Sequence, residues 1–234
     1  RQAERAGRPV LVTIFGRAGV GMSRLLSELG VYAEGLPGFF HWRSGRCLAY
    51  GNASYSAIAD AIKAQCEILE DDSVEVADAK VDAAVRELFD DLELAPAIRA
   101  LVSAGDRTFS REELFEAWRR FLERMAARYP LVLELEDIHW ADEGLLDFVE
   151  YLLEWSHHRP LFVMTLGRPE LHERRPGWGA GQRNFTSLYL DPLPQPAMEQ
   201  LLEGLVPGLP EHLRDQILAR AEGVPLYAVE TVRM

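Results

Sequence analysis

The chain has 234 residues, 48% of them apolar and 26% charged, which excludes wholesale disorder and allows one large core or one domain with a small appendage. With 25 basic against 37 acidic residues the net charge is -12, an acidic field that argues against a general binder of nucleic acid or anionic membrane. Only Lys63 and Lys80 are lysines and arginine supplies the rest, a skew that points to a GC-rich genome and leaves lysine chemistry two candidates.

Cys47 and Cys66 are too few for a disulfide framework and lack metal-ligand spacing, so they read as buried free thiols in a reducing compartment. No run approaches the roughly 20 apolar residues of a membrane span, and no signal-peptide pattern opens the chain. A cytoplasmic protein is expected. The polar, helix-prone start Arg1-Gln2-Ala3-Glu4-Arg5 reads as the tail of a helix belonging to a longer polypeptide.

In chain order, apolar runs predict strands at Val10–Phe15, Phe39–Trp42, Leu131–Leu135, Leu161–Leu166 and Thr186–Leu190. A helix is expected over Ser23–Leu29. Residues 55–129 carry helical periodicity throughout, as in Ala57, Ile58, Ala61 and Ile62, then Val81, Ala84, Val85 and Leu88. Ser110-Arg111-Glu112-Glu113 has capping-box spacing, followed by Phe115, Trp118, Phe121, Leu122 and Met125 on one face. The acidic run Glu70-Asp71-Asp72 reads as an exposed turn. Beyond the Pro-rich stretch 191–196, helices are expected at Ala197–Leu205 and His212–Glu222.

The fold class expected is α/β: a parallel P-loop NTPase sheet sandwiched by helices, with a helical insertion after the second strand. The core would span 1–191, its insertion 55–129, and 192–234 would begin a truncated helical lid.

The first strand runs into Gly16-Arg17-Ala18-Gly19-Val20-Gly21-Met22-Ser23-Arg24. Against G-x-x-x-x-G-K-[ST], the Walker A pattern, every fixed position matches except the lysine, which is Met22. Glycines let successive N–H groups face phosphate oxygens, the following helix offers its dipole, and Ser23 would ligate Mg²⁺. Methionine cannot neutralise the phosphates; Arg17 and Arg24 are the nearby cations. The third strand ends in Glu136-Asp137, about 115 residues beyond the loop. Adjacent acids at a strand end suit Mg²⁺ (Glu136) and an attacking water (Asp137), the Walker B chemistry. Arg168 ends the fourth strand, where open α/β sheets bind ligands, and is the candidate sensor of a γ-phosphate. The six histidines show no ligand spacing, and no Gly-x-Ser-x-Gly elbow supports a Ser-His-Asp triad.

Taken together, Gly16–Leu25, Gly45-Arg46-Cys47-Leu48-Ala49-Tyr50-Gly51, Glu136-Asp137-Ile138-His139-Trp140-Ala141-Asp142, Arg168-Pro169-Glu170-Leu171 and Glu222-Gly223-Val224-Pro225-Leu226-Tyr227 resemble the AAA/STAND-type P-loop ATPase modules of bacterial multidomain regulators. Such modules follow class III adenylate/guanylate cyclase domains or precede LuxR-type DNA-binding domains. The resemblance implies phosphate binding at Gly16, Gly19, Gly21 and Ser23, Walker B roles for Glu136 and Asp137, and a sensor role for Arg168. It further implies that the Gly223-x-Pro225 turn contacts nucleotide from the helical subdomain. Three positions depart from the family pattern: Met22 for lysine, Glu136 for the commoner aspartate, and Val224 for asparagine.

The expectation is therefore a regulatory ATP-binding module with ATP and Mg²⁺ as weakly held cofactors and with impaired or absent hydrolysis. Its partners would be ATP or ADP and other domains of the same polypeptide, with a nucleotide-dependent oligomer and no direct nucleic-acid or membrane contact. The alternatives are a working ATPase, with Arg17 or Arg24 compensating or Met22 engineered into an active parent, and a nucleotide-free interaction scaffold.

Overall fold

The computed structural model describes residues 8–49, 54–102 and 109–233. The expected helix tail at residues 1–5, and Tyr50 and Gly51 of the second phrase, lie outside them. Five strands, β1 (Val10–Gly16), β2 (His41–Arg46), β3 (Leu131–Glu136), β4 (Leu161–Gly167) and β5 (Phe185–Leu190), form a parallel sheet of order β2-β3-β4-β1-β5. This is the α/β arrangement of P-loop NTPases. The register aligns His41 with Leu131 and Arg46 with Glu136, and Leu131 with Leu161 through Leu135 with Thr165.

Helix α1 (Met22–Glu34) follows β1. Among the described residues four helices separate β2 from β3, as the periodicity predicts: α2 (Ser56–Gln65), α3 (Val74–Phe89), α4 (Ala95–Val102) and α5 (Arg111–Arg128). A 3₁₀ turn (Ile138–Trp140) and α6 (Glu143–Trp155) lead to β4, and the short α7 (Leu171–Arg174) follows it. After β5 come α8 (Gln195–Leu205), α9 (Glu211–Ala221) and α10 (Pro225–Arg233). Among the described residues no helix is long and apolar enough to cross a membrane.

Two compact units emerge, Arg1–Thr13 with Gly38–Thr186, and Ile14–Pro37 with Ser187–Met234. In the first, Leu131, Leu133 and Leu135 of β3 are fully buried, as are Leu161 and Val163 of β4. Continuous burial is what a strand covered on both faces requires. Against them pack α5 and α6, whose Phe115, Trp118 and Phe148 meet Tyr55 in a cluster of mostly edge-on rings with centroids as close as 4.9 Å. The Trp118 indole donates to Ala97 O at 3.3 Å. The capping box at α5 forms as read: Glu113 N donates to Ser110 Oγ and Ser110 N to Glu113 Oε2. A buried polar chain also runs through this unit, with Trp178 Nε1 donating to Thr13 Oγ1, itself 2.8 Å from Thr165 Oγ1.

The second unit has its own smaller core of Met198, Leu202, Ala221 and Ala228, with Leu193, Ile217 and Val232 packed on it. Phe15 and Tyr189 stack in this unit with ring centroids 5.2 Å apart.

Two elements, β2 and α1, differ from the sequence reading by more than two residues at one end. β2 lies at His41–Arg46 rather than Phe39–Trp42. Its pairing is set by backbone partners, from His41 N to Pro130 O through Cys47 N to Glu136 O, while Phe39 is 80% exposed. α1 extends to Glu34, past Leu29 and Gly30, and is capped at Gly35. The turn at Glu70–Asp72 forms, but Asp72 is a structural anchor, accepting from Lys80 Nζ at 2.6 Å and Leu69 N at 2.8 Å.

The aromatic cluster carries more stability than any cap in this unit. Phe148→Ala should lower the unfolding free energy by about 3–5 kcal/mol, against about 1 kcal/mol for Ser110→Ala, read by urea unfolding of both variants beside the parent chain.

Candidate nucleotide site

Residues assigned to phosphate binding lie in the second unit. β1 ends at Gly16, and the chain turns through Gly19 (φ 79°) and Gly21 (φ 110°) before α1 begins at Met22. Both glycines sit in the left-handed region that side chains disfavour, and a Cβ on Gly21 would meet nothing within 4 Å. Val20 N donates back to Arg17 O at 3.2 Å, closing the loop. Gly21 caps α1 with no side-chain hydrogen bond, and no acidic residue occupies the first turn. The N-terminal amides of a 13-residue helix thus face outward with no side-chain acceptor on them, which suits an anion.

Met22 is half-buried, and its Cγ and Sδ each lie 3.2 Å from where a Cβ on Gly16 would stand. The thioether therefore lies back over the loop. Ser23 is exposed beside it. Arg24 is exposed and pairs with Glu28 one turn on, which commits its charge along the helix surface. Arg17 is exposed, and Ala18 lies beside it on the loop.

The turn 222–225 meets this loop within the same unit. Glu222 and Gly223 both take left-handed backbone, Val224 N donates to Ala221 O at 2.7 Å, and Gly223 O accepts from Leu193 N at 2.7 Å. Pro225 then opens α10, and Leu226 N donates to Gly19 O at 3.2 Å. A Cβ on Gly19 would lie 2.7 Å from Leu226 Cβ and 3.1 Å from Val224 Cγ1. The turn thus touches the phosphate loop directly, and Val224 acts there as an apolar spacer.

The acid pair lies in the first unit. Glu136 closes β3, and Asp137 turns off it in left-handed conformation (φ 54°) to start the 3₁₀ turn. Such backbone costs about 1–3 kcal/mol for a non-glycine residue and gathers at functional sites. Burial, with Glu134 and Asp137 close by, pushes the Glu136 carboxyl above its ordinary range, and Arg46 opposes the shift. Arg46 Nε donates to Asp137 Oδ2 at 2.8 Å. Glu134, a puzzle in so apolar a strand, is buried and accepts from Trp42 Nε1 at 2.6 Å and Ser44 Oγ at 3.1 Å on β2. It bolts β2 to β3 beneath the acids.

Arg168 follows β4, half-buried, and makes no ion pair with Glu170 or Glu173 among the described residues. His139 on the 3₁₀ turn is buried, with neither ring nitrogen given a partner among the described residues. Burial, reinforced by Arg168, lowers its pKa and keeps it neutral. Arg174 staples the same turn by donating to His139 O at 2.6 Å and Ala141 O at 2.8 Å. Arg46 and His139 are letters of two phrases that carry the resemblance, but no spacing signal marks either. Among the described residues no group of three or more His, Cys, Asp or Glu converges on one point.

The model of the AAA ATPase domain family matches residues 2–164, more than half of the chain. This chain belongs to the AAA ATPase domain family. An uncharacterized protein of Rhizobium meliloti (strain 1021) is 27% identical over 96% of the chain, which spans 22% of that relative's length. Among solved structures, the Aeropyrum pernix Orc1 protein in complex with DNA has a TM-score of 0.57 at 16% identity, over 99% of this chain and 55% of that one. A STAND protein with a tetratricopeptide repeat sensor from Pyrococcus horikoshii has a TM-score of 0.47 at 12% identity, over 95% of this chain and 27% of its own. The Orc1 likeness is one of fold. Membership of an AAA ATPase family carries with it nucleotide binding of the ATP and Mg²⁺ kind.

The raised Glu136 carboxyl has a sign that can be tested. A carboxyl whose folded pKa exceeds its unfolded value binds more protons when folded, so its contribution to stability falls as pH rises through that interval. Glu136→Gln removes this term. The variant should gain thermal stability relative to the parent chain as pH rises from about 4 to 7, with the difference vanishing at the acid end.

Proposed function

We propose that this chain is the ATP-binding module of a larger signalling or transcription regulator, in which binding persists and hydrolysis is crippled. The observation that carries the reading is the loop itself: two left-handed glycines delivering an uncapped 13-residue helix N-terminus, with Met22 where the cation belongs. The backbone N–H groups of Gly16–Ser23 would hold phosphates, with Arg17, Ala18, Val20 and Arg24 forming the loop around them. Ser23 and Glu136 would hold Mg²⁺, which favours one or two protein oxygens together with phosphate oxygens over an all-protein cage. Asp137 would orient water, Arg168 would sense the terminal phosphate, and Gly223 and Pro225 would report on the loop from the lid.

When bound, Mg²⁺ supplies charge that stabilises the nucleotide's β and γ phosphates. The chain's residues position those oxygens and keep the acids apart in role. Glu136, with its raised pKa, suits a residue that ionises fully against a cation, while Asp137 is already charge-paired. What is missing is the cation that answers charge growing on a transferring phosphoryl group.

The chain's span of only 22% of its relative's length suits a module that passes a nucleotide-dependent state to further domains, cyclase or DNA-binding, or to a second copy. The thioether lying over Gly16 favours a second reading, a scaffold that holds no nucleotide at all.

Calorimetric titration of Mg²⁺–ATP into the parent chain and Met22→Lys separates these. A charge-assisted hydrogen bond to phosphate contributes about 1.5–3 kcal/mol, so Met22→Lys should bind ATP about tenfold to a hundredfold tighter and gain measurable phosphate release. If neither protein gives heat at millimolar nucleotide, the scaffold stands and the ATP-binding reading falls.

A further inference from the structure

The second unit contains a cavity of about 460 Å³ that the nucleotide reading does not use. It is lined by the start of α8 and the second half of α9, and every lining residue belongs to this unit. Its floor is hydrocarbon. Met198 is 1% exposed, and Leu193 and Leu218 pack on the same small core. A volume of this size suits one small organic molecule.

Acceptors dominate the polar groups around that floor. Gln195 donates its side-chain nitrogen to Glu199 Oε1 at 2.9 Å, which leaves its own carbonyl oxygen open. Glu222, exposed at the left-handed end of α9, makes no side-chain hydrogen bond or ion pair among the described residues. Asp215 has Arg214 beside it, but Nε stands 3.7 Å from Oδ1, beyond a hydrogen bond, and Arg214 Nη2 turns to Glu211 at 3.4 Å. No residue lining the cavity is basic. Two carboxylates without a lining cation repel phosphate, so the nucleotide's anionic end has no place there. Acids above a hydrocarbon floor answer a positive head on an apolar stem: the head donates to the carboxylates, and the stem takes the floor out of water. A guanidinium meets this best, because its planar fork offers a carboxylate two parallel N–H groups.

We propose that this cavity binds a small organic cation, a guanidinium or primary ammonium on a hydrocarbon stem. Glu222 and Asp215 hold the head, and Met198, Leu193 and Leu218 hold the stem. The assignment does not rest on the nucleotide reading, and either can fail without the other.

The test titrates hexylguanidinium into the ¹⁵N-labelled full chain, beside neutral hexanamide and anionic hexanoate of similar stem. The amides of Gln195, Ala219 and Gly223 should shift together and saturate with the cation, about fivefold tighter than with hexanamide, and should not respond to hexanoate. Glu222→Gln should weaken the cation about fivefold, and added salt should weaken it in the parent chain. Ala219 is exposed on α9, so Ala219→Phe fills the cavity without entering the core and should abolish the shifts. Equal binding of the three probes, shifts scattered over the acidic surface, undiminished binding by Ala219→Phe, or no shift at millimolar cation would each overturn the assignment.

Discussion

The loop Gly16–Ser23 is organised around an uncapped helix end. The first amides of any helix need acceptors; Ser73 accepts at α3, Ser110 at α5 and Asp142 at α6, whereas α2, α7, α8 and α9, like α1, start with no side-chain cap. At α1 the cap is Gly21, which has no side chain to offer, in a left-handed conformation that turns the amides outward. A glycine cap forgoes only about a few tenths of a kcal/mol against Ser or Asp. The turn at 222–225 adds a further constraint, since Leu226 N donates to the Gly19 carbonyl.

The acidic end of β3 depends on a different device. Three carboxylates within four residues, Glu134, Glu136 and Asp137, would repel one another in a buried strand. Glu134 is satisfied by Trp42 and Ser44, Asp137 by Arg46, and Glu136 alone carries the strain as a raised pKa. β2, the least apolar strand, supplies every one of those partners. Its polar sequence, His41-Trp42-Arg43-Ser44-Gly45-Arg46, is explained by that service rather than by burial.

This explains what the sequence made visible and what it hid. The sheet and the helical insertion were legible because β1, β3 and β4 are apolar runs and α2–α5 keep their period. The glycine-rich loop and the adjacent acids were legible because each stands where an apolar strand ends. β2 was misplaced because its pairing depends on partners some 90 residues away, such as Glu134 for Trp42 and Ser44, which no local pattern encodes. The Arg46–Asp137 pair and the burial of His139 were hidden for the same reason: both are defined by what lies across the strand ends. The scarcity of lysine bears on the site through position 22 alone, because Lys80 is spent on Asp72 and Lys63 lies on α2.

The central claim is that a backbone cradle without its lysine still binds phosphate. Amide resonances of a ¹⁵N-labelled full chain, followed as Mg²⁺–ATP is added, test it at the atoms concerned. The account predicts that the amides of Gly19, Gly21, Met22 and Ser23 shift together and saturate with nucleotide, while those at the capped start of α5 stay where they are. Loop amides that remain unmoved at millimolar Mg²⁺–ATP would contradict it.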